Sequence, residues 1–380
     1  HINNLIPISL AIFYSSNVES LIILIISMSA SQLIFNFFVS VFLGAADDEE
    51  NALSVLPSHK LMLKGKGILA VKSLIYGSLL GFIFSLLMFI ILLNYFEKIY
   101  NYSRAAVPYL LIFVMTFLIL SEKKLEKIFY SLLIFLLSGI FGLIILNRVP
   151  LSQELLLFPT FAGLFGISSL ITSIYLKIKI PEQNLKLELK FNFKEILKAS
   201  FIGCLAGILV GLLPSIGTSQ GIIMINTIFN VNSAEKFLIS LGSVATSDNI
   251  FSILSLYLIG NPRSGASVYI EDLAGKISFG QVLLIISFFG LSLAFSAFSL
   301  LLISKSILKI LTRINYSLLS ILVISSIVFL VFLLTGFIGL FILFIASLIG
   351  ILNIRLAVNR SFSMGVLILP AILFFLNITM

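Results

Sequence analysis

Residues 211–221, GLLPSIGTSQG, carry hydroxyl and amide side chains into an otherwise hydrophobic run. Pro214 removes a backbone donor and clashes with the preceding helical turn, and Gly211 allows tight or left-handed backbone beside it. Unwound backbone at membrane depth is tolerated only where protein buries it or where it lines a wet cavity. Pro214 and Gly211 are therefore predicted to break a spanning helix beside a cavity. The candidate substrate-binding residues at this break are Ser215, Gly217, Thr218, Ser219 and Gln220.

This break also predicts the charge of the ligand. A second half-helix would begin near Ser219 and direct its N-terminus at the cavity. Helix N-termini bind anionic groups, because their unpaired N–H groups and the helix dipole both favour negative charge. The alternative is a simple proline kink, in which the hydroxyls bond back to helical carbonyls.

Asp248 lies inside the otherwise apolar segment at residues 242–252, GSVATSDNIFS. A carboxylate within a membrane is costly, so it is a functional-site candidate. With Thr246 and Asn249 it offers oxygen ligands that suit a hard cation or a proton. These three residues are predicted to form an ion-coupling site, and Asn249 is also a substrate-binding candidate. The alternative is that Asp248 caps a half-helix that starts there.

A third polar interruption, GNPRSGASV, occupies residues 260–268. Its glycines and proline predict a further helix break. Arg263 can hold a carboxylate or phosphate through two parallel hydrogen bonds, so Arg263 and Ser264 are substrate-binding candidates. The alternative places Arg263 at the outer surface of the membrane. The predicted break residues are Gly260, Pro262 and Gly265.

Catalytic and metal-binding patterns are lacking in the sequence. His1 and His59 lie in no ligand-spaced motif, and neither a phosphate-binding lysine loop nor a G-x-S-x-G elbow occurs. The acids at 47–50 are typical of a solvated loop, although one of them could cap a helix or meet a cation. The sequence predicts no enzyme, no metal site and no cofactor beyond a coupling Na⁺ or H⁺.

The composition predicts an all-α polytopic membrane protein with about 11–12 transmembrane segments. Of 380 residues, 59% are hydrophobic and 11% charged, and mean hydropathy is +1.18. Soluble domains carry roughly a quarter charged residues. Apolar runs of the roughly 20 residues needed to cross a membrane recur throughout, including 314–334 and 336–353. The net charge of +8 is assigned to cytoplasmic loops and not to nucleic-acid binding.

A polar linker at 177–198 divides the chain into two predicted units. The first unit, 1–176, is an N-terminally truncated transmembrane repeat, and the second repeat is 199–380. The lysines of the linker predict that it is cytoplasmic and amphipathic, on the inner face of the cell membrane. With that side fixed, corresponding spans of the two units run in opposite directions. Opposed repeats containing broken helices are typical of secondary transporters.

Four of these segments together resemble the large membrane (permease) subunit family of tripartite tricarboxylate transporters, in its divergent archaeal-type branch. GLLPSIG is similar to the proline-glycine-x-glycine break of the family, with Ser215 where glycine is usual. VATSDNIFS matches best at Asn249, and GNPRSGAS departs from the family at Arg263. ENALSVLPSHKLMLKGKG resembles a first-repeat segment in which proline precedes a basic, glycine-punctuated stretch. The matching residues there are Pro57, Lys60, Gly65 and Gly67.

The resemblance implies a function, partners and further site residues. It implies a secondary active transporter that moves a small organic anion, of the carboxylate class, driven by a proton or sodium gradient. A small membrane subunit and an extracytoplasmic solute-binding protein are the implied partners, besides membrane lipids. HINN would be the first repeat's half of the site. Two alternatives remain open, a translocase (flippase) for an anionic lipid such as a polyprenyl phosphate and a non-transporting membrane scaffold. The HINN candidates are His1, Asn3 and Asn4.

Overall fold

Every regular element that the computed structural model describes is a helix. The described residues are 17–43, 57–96, 98, 107–122, 124–176, 180–189, 192–212, 218, 221–222, 233–313 and 315–378.

Six of the helices precede the linker. A π-helical turn, Val39–Leu43, extends the first of them, and another, Ala162–Ile167, lies inside the sixth. The six are α1 (Val18–Phe38), α2 (57–63), α3 (Gly67–Leu92), α4 (Val107–Leu120), α5 (Leu125–Arg148) and α6 (Gln153–Phe161 continuing through Ser168–Tyr175).

The other six helices of the described part begin at or after residue 193. They are α7 (Phe193–Leu212), α8 (Ala234–Ile259), α9 (Gly265–Ala274), α10 (Phe279–Leu311), α11 (Tyr316–Leu356) and α12 (a 3₁₀ turn at Arg360–Met364 followed by Gly365–Phe375).

Seven stretches among the described residues are long and apolar enough to cross a membrane. They are α1 with its π-helical turn, α3, α5, α6, α8, α10 and α11, and α4 and α12 are shorter apolar helices. This confirms the predicted all-α polytopic membrane protein. The division into two inverted repeats stays a prediction.

α8 is the most deeply buried of these seven stretches and the least hydrophobic. Its most apolar 18 residues are 89% buried, against 28% to 67% for the other six. Its mean hydropathy is 1.4, where the others range from 1.8 to 3.0. Because lipid cannot hydrogen-bond, the polar side chains of a membrane protein are placed where protein surrounds them. α8 therefore forms the centre of the bundle, packed between α3 and α7.

Small residues allow the backbones of these three helices to approach closely. Glycines repeat at every fourth position of α7, which places them on one face toward α8. At Gly211 an added Cβ would lie 2.6 Å from the Cβ of Phe251. At Gly81 of α3 it would lie 2.6 Å from the Cα of Ser243. Buried serines also form hydrogen bonds between these helices. Ser243 of α8 donates to the carbonyl of Ser200 in α7 over 2.6 Å.

α11 contains 41 residues, roughly twice the length that a membrane requires. Gly336, with φ 63° and ψ −154°, interrupts it and leaves two arms of similar length. Val331 and Leu343, from the two arms, pack in one cluster with Ala162 and Ile167 of α6. Both arms therefore lie against the same neighbour, and they correspond to the two runs distinguished in the sequence.

Residues 180–189 of the linker form no helix and are bonded to the turn between α2 and α3, whereas the last residues of the linker, from Phe193, already belong to α7. Gln183 accepts from the backbone N–H of Gly67 over 3.0 Å and donates to the carbonyl of Met62 over 2.8 Å. Gly65 in this turn has φ +75°, and a Cβ there would lie 2.8 Å from the carbonyl oxygen of Glu182. Glycine is therefore required at position 65 both by the backbone conformation and by the linker.

Gly65→Ala is expected to lower the free energy of unfolding by about 1–3 kcal/mol, because the left-handed backbone becomes strained and the linker must move. Thermal unfolding of the purified protein measures the loss. Gly260→Ala is the matched control, since Gly260 has left-handed backbone at φ 64° and ψ 36° and nothing lies within 4 Å of an added Cβ. Equal losses in the two variants would contradict a contribution from the linker contact.

Candidate functional site

The candidate site is built where the chain leaves α8 and turns back into α9. α8 ends at Ile259, because Gly260 adopts left-handed backbone at φ 64° and ψ 36°. Ser264 then caps α9, and its hydroxyl accepts from the N–H of Ser267. The structure thus places Gly260 and Pro262 in the turn, while Gly265 is the first residue of α9.

Ser252 fixes this turn against α8. Its hydroxyl oxygen accepts from the backbone N–H of Ser264 over 2.7 Å and from that of Arg263 over 3.1 Å. The hydroxyls of Ser252 and Ser267, both buried, are 2.9 Å apart. Ser252, Ser264 and Ser267 therefore hold the backbone at Arg263 in place.

Asp248 and Arg263 bring opposite charges to this junction. Asp248 lies four residues before Ser252, one turn away on the same face of α8, and it is partly buried. It interacts electrostatically with Arg263, whose Nε and Nη2 atoms are buried. Asp248 lies well inside α8, so it does not cap a half-helix. Arg263 lies in the turn just beyond the end of α8, so both its role as a substrate-binding residue and its place at the outer surface of the membrane stay predictions.

Asn249 links α8 to the first half of the chain. Its Nδ2 donates to the carbonyl of Ala245 over 2.9 Å, and its Oδ1 accepts from the hydroxyl of Ser29 over 3.3 Å. α9 packs on the same helix α1. Thr246 is fully buried and donates to the carbonyl of Gly242 in its own helix over 3.1 Å. The site therefore includes a first-half residue, Ser29, beside Asn249.

Most of the other predicted site residues belong to the proline break at 211–221. Gly211, assigned to that break, lies in the last described turn of α7, where its missing side chain accommodates Phe251, and its part in the break stays a prediction. Thr218 is buried, and its hydroxyl has no hydrogen-bond partner among the described residues. The candidates that lie outside the described residues are His1, Asn3, Asn4, Pro214, Ser215, Gly217, Ser219 and Gln220.

Sequence reasoning missed three residues that the fold brings to the site. Ser252 and Ser267 fall inside the quoted segments, but only the turn at Gly260 places their hydroxyls side by side. Their one sequence signal is the spacing of Ser264 and Ser267, which is that of a helix cap and the third helical residue. Ser29 has no signal that separates it from the other serines of α1.

These helices and the polar junction inside them define a multi-pass membrane protein with a charged site in its bundle. The chain belongs to the tripartite tricarboxylate transporter TctA family, whose profile matches residues 1–365. The matched region contains α8, the turn at Gly260 and α9. The fold and the family together make it a transporter-family membrane protein.

An uncharacterized protein of Methanocaldococcus jannaschii is 32% identical to this chain over an alignment of 388 residues. The alignment covers 99% of this chain and 94% of that relative. No solved structure matches the chain significantly. The family is therefore established along almost the whole chain.

Ser252→Ala is expected to lower the free energy of unfolding by about 0.5–1.5 kcal/mol, because the backbone N–H groups of Arg263 and Ser264 lose one of their two hydroxyl acceptors and keep only Ser267. Thermal unfolding measures the loss. Ser287→Ala is the control, since Ser287 is exposed on α10 and donates only to the carbonyl of Leu283 in its own helix. A loss no larger than that of the control would show that Ser252 does not hold the turn.

Proposed function

We propose that this protein is a secondary active transporter that moves a small organic anion of the carboxylate class. The observation that carries the proposal is the junction of Arg263, Asp248 and the first turn of α9. Arg263 and the α9 N-terminus supply donors for a carboxylate, and Asp248 supplies an acceptor for a cation. Family membership supports transport of this class of substrate.

The pairing of Asp248 with Arg263 suggests how an anion and a cation are coupled. In the absence of substrate, each side chain compensates the charge of the other. A carboxylate that binds Arg263 takes over that role and leaves Asp248 without its counter-charge. An uncompensated carboxylate in this environment is costly, so Asp248 then binds a proton or a sodium ion. Anion and cation thereby favour each other's binding, as cotransport requires.

We further propose where the protein acts and what it acts with. The protein is not an enzyme and acts in the cell membrane, with the linker at 177–198 on the cytoplasmic side. Its partners are a small membrane subunit and an extracytoplasmic solute-binding protein, as the tripartite family suggests. Movement of one repeat against the other alternates access to the site.

The test is a thermal-shift titration of the full-length protein with di- and tricarboxylates, with and without sodium and at several pH values. A ligand at 100 times its dissociation constant stabilises the folded protein by about 2.7 kcal/mol. Stabilisation by a carboxylate that increases with sodium or with proton concentration is expected. Arg263→Gln is expected to weaken it at least tenfold, and Asp248→Asn to remove its cation dependence.

Asp272→Asn is the matched control, because Asp272 is an exposed carboxylate on α9. It is expected to titrate as the unchanged protein does. Stabilisation by lipid phosphates alone would replace the proposal with the lipid translocase. Transport and ligand binding that persist unchanged in Arg263→Gln would show that the anion binds elsewhere.

A further inference from the structure

The C-terminal end of α1 is closed by side chains from two other helices. A helix leaves its last carbonyls without helical partners, so side chains or water must satisfy them. The hydroxyl of Ser58 in α2 donates to the carbonyl of Ser40 over 3.3 Å. Two further carbonyls, those of Val41 and Leu43, are met by His59 of α2 and Tyr316 of α11.

The hydrogen bonds of His59 and Tyr316 determine how many hydrogens the imidazole ring of His59 must carry. Nδ1 of His59 lies 3.2 Å from the carbonyl oxygen of Val41, which can only accept, so Nδ1 carries a hydrogen. Tyr316 donates its hydroxyl hydrogen to the carbonyl oxygen of Leu43 over 2.9 Å. Nε2 of His59 lies 3.2 Å from the same hydroxyl oxygen. That third bond then needs a hydrogen on Nε2, and an imidazole with both hydrogens is a cation.

Neutral His59 cannot support all three bonds at once. With its hydrogen on Nδ1, Nε2 becomes an acceptor, and the hydroxyl of Tyr316 has a single hydrogen to donate. Tyr316 must then donate either to His59 or to the carbonyl of Leu43. One proton more or less on His59 therefore decides whether Tyr316 stays bonded to both partners.

The surroundings of His59 act on its charge in opposite directions. The side chain is 8% exposed, and burial lowers the pKa of His59 below its usual 6.5, while the carbonyl of Val41 raises it. The C-terminal end of α1 also favours a cation, because its carbonyls carry partial negative charge. The imidazole is thus a site that titrates on the acidic side of pH 6.5.

The ionisable neighbours are few among the described residues. Tyr316 touches the imidazole from α11, its ring centroid 5.5 Å from that of His59. Ser173 of α6 bonds to Tyr316. Lys60 on the same helix as His59 is exposed, as is Arg313 before α11. The π-helical end of α1 has no titratable side chain, and the acids at 47–50 lie outside the described residues.

This contact joins two groups of helices. α1 packs mainly against α10, α9 and α3, which belong to the group around the candidate site. α11 packs mainly against α6, α5 and α12. Tyr316 is the first residue of α11, so its bonds to Leu43 and His59 lie between the two groups.

We propose that His59 is a proton-binding site whose charge controls the contact between the end of α1 and the start of α11. Protonated His59 holds Tyr316 and the α1 carbonyls in one continuous chain of hydrogen bonds. Neutral His59 releases one of the bonds of Tyr316. The proposal concerns proton binding and the contact between the helix groups, and it stands whichever anion the protein carries.

Nuclear magnetic resonance of the full chain with ¹⁵N-labelled histidine rings is the direct test. His1 and His59 are the only histidines, and His1→Gln assigns the two sets of signals. The expected neutral ring of His59 carries its hydrogen on Nδ1, and it becomes doubly protonated on acidification with a midpoint below pH 6.5. A neutral ring with its hydrogen on Nε2, or a ring that does not change charge between pH 4 and 8, would overturn the proposal.

The link to α11 is tested in the same experiment with Tyr316→Phe. The hydroxyl of Tyr316 bonds to both His59 and Leu43 when His59 is a cation, and to only one of them when His59 is neutral. Removing the hydroxyl is therefore expected to weaken proton binding about tenfold, which lowers the midpoint by about one pH unit. Tyr175→Phe, an exposed tyrosine on α6, is the control and is expected to leave the midpoint unchanged. A midpoint that is unchanged or raised in Tyr316→Phe would show that Tyr316 does not contribute to proton binding by His59.

Discussion

The structure depends on one constraint: polar groups inside a lipid-facing bundle must find their partners within the protein. α8 illustrates the consequence, because it is both the most polar and the most buried of the long apolar helices. Its serines bond to neighbours on both sides, as when Ser85 of α3 donates to Ser247 over 2.7 Å. Such bonds require close backbones, and the glycines of α3 and α7 provide them.

The candidate site uses the same constraint for function. Where α8 ends, Ser252 accepts the backbone N–H groups of the turn, and this places Arg263 within electrostatic range of Asp248. Two opposite charges in one buried region are tolerated together more easily than either is alone. A ligand that compensates one of them changes the cost of the other. This dependence provides the physical basis for the proposed coupling of anion and cation.

The junction at His59 lies away from that site, at the contact between the two helix groups. It has the same origin, because the last carbonyls of α1 need donors that only the protein can supply. Histidine is a suitable donor there, since it can offer one hydrogen or two. A requirement of helix termination thereby yields a group that responds to pH at the contact between the two helix groups.

The sequence by itself determined the medium, the class of helices and the break at Gly260. These features are local: hydrophobic length identifies the spans, glycine in the turn at 260 interrupts a helix, and Asp248 is conspicuous among apolar neighbours. The partners were decided only by the tertiary structure. Ser29 bonds to Asn249 across 220 positions and His59 to Tyr316 across 257, and no local pattern distinguishes these residues from others of their type. Gly211 shows the same limit, because only the fold brings it against Phe251 of α8.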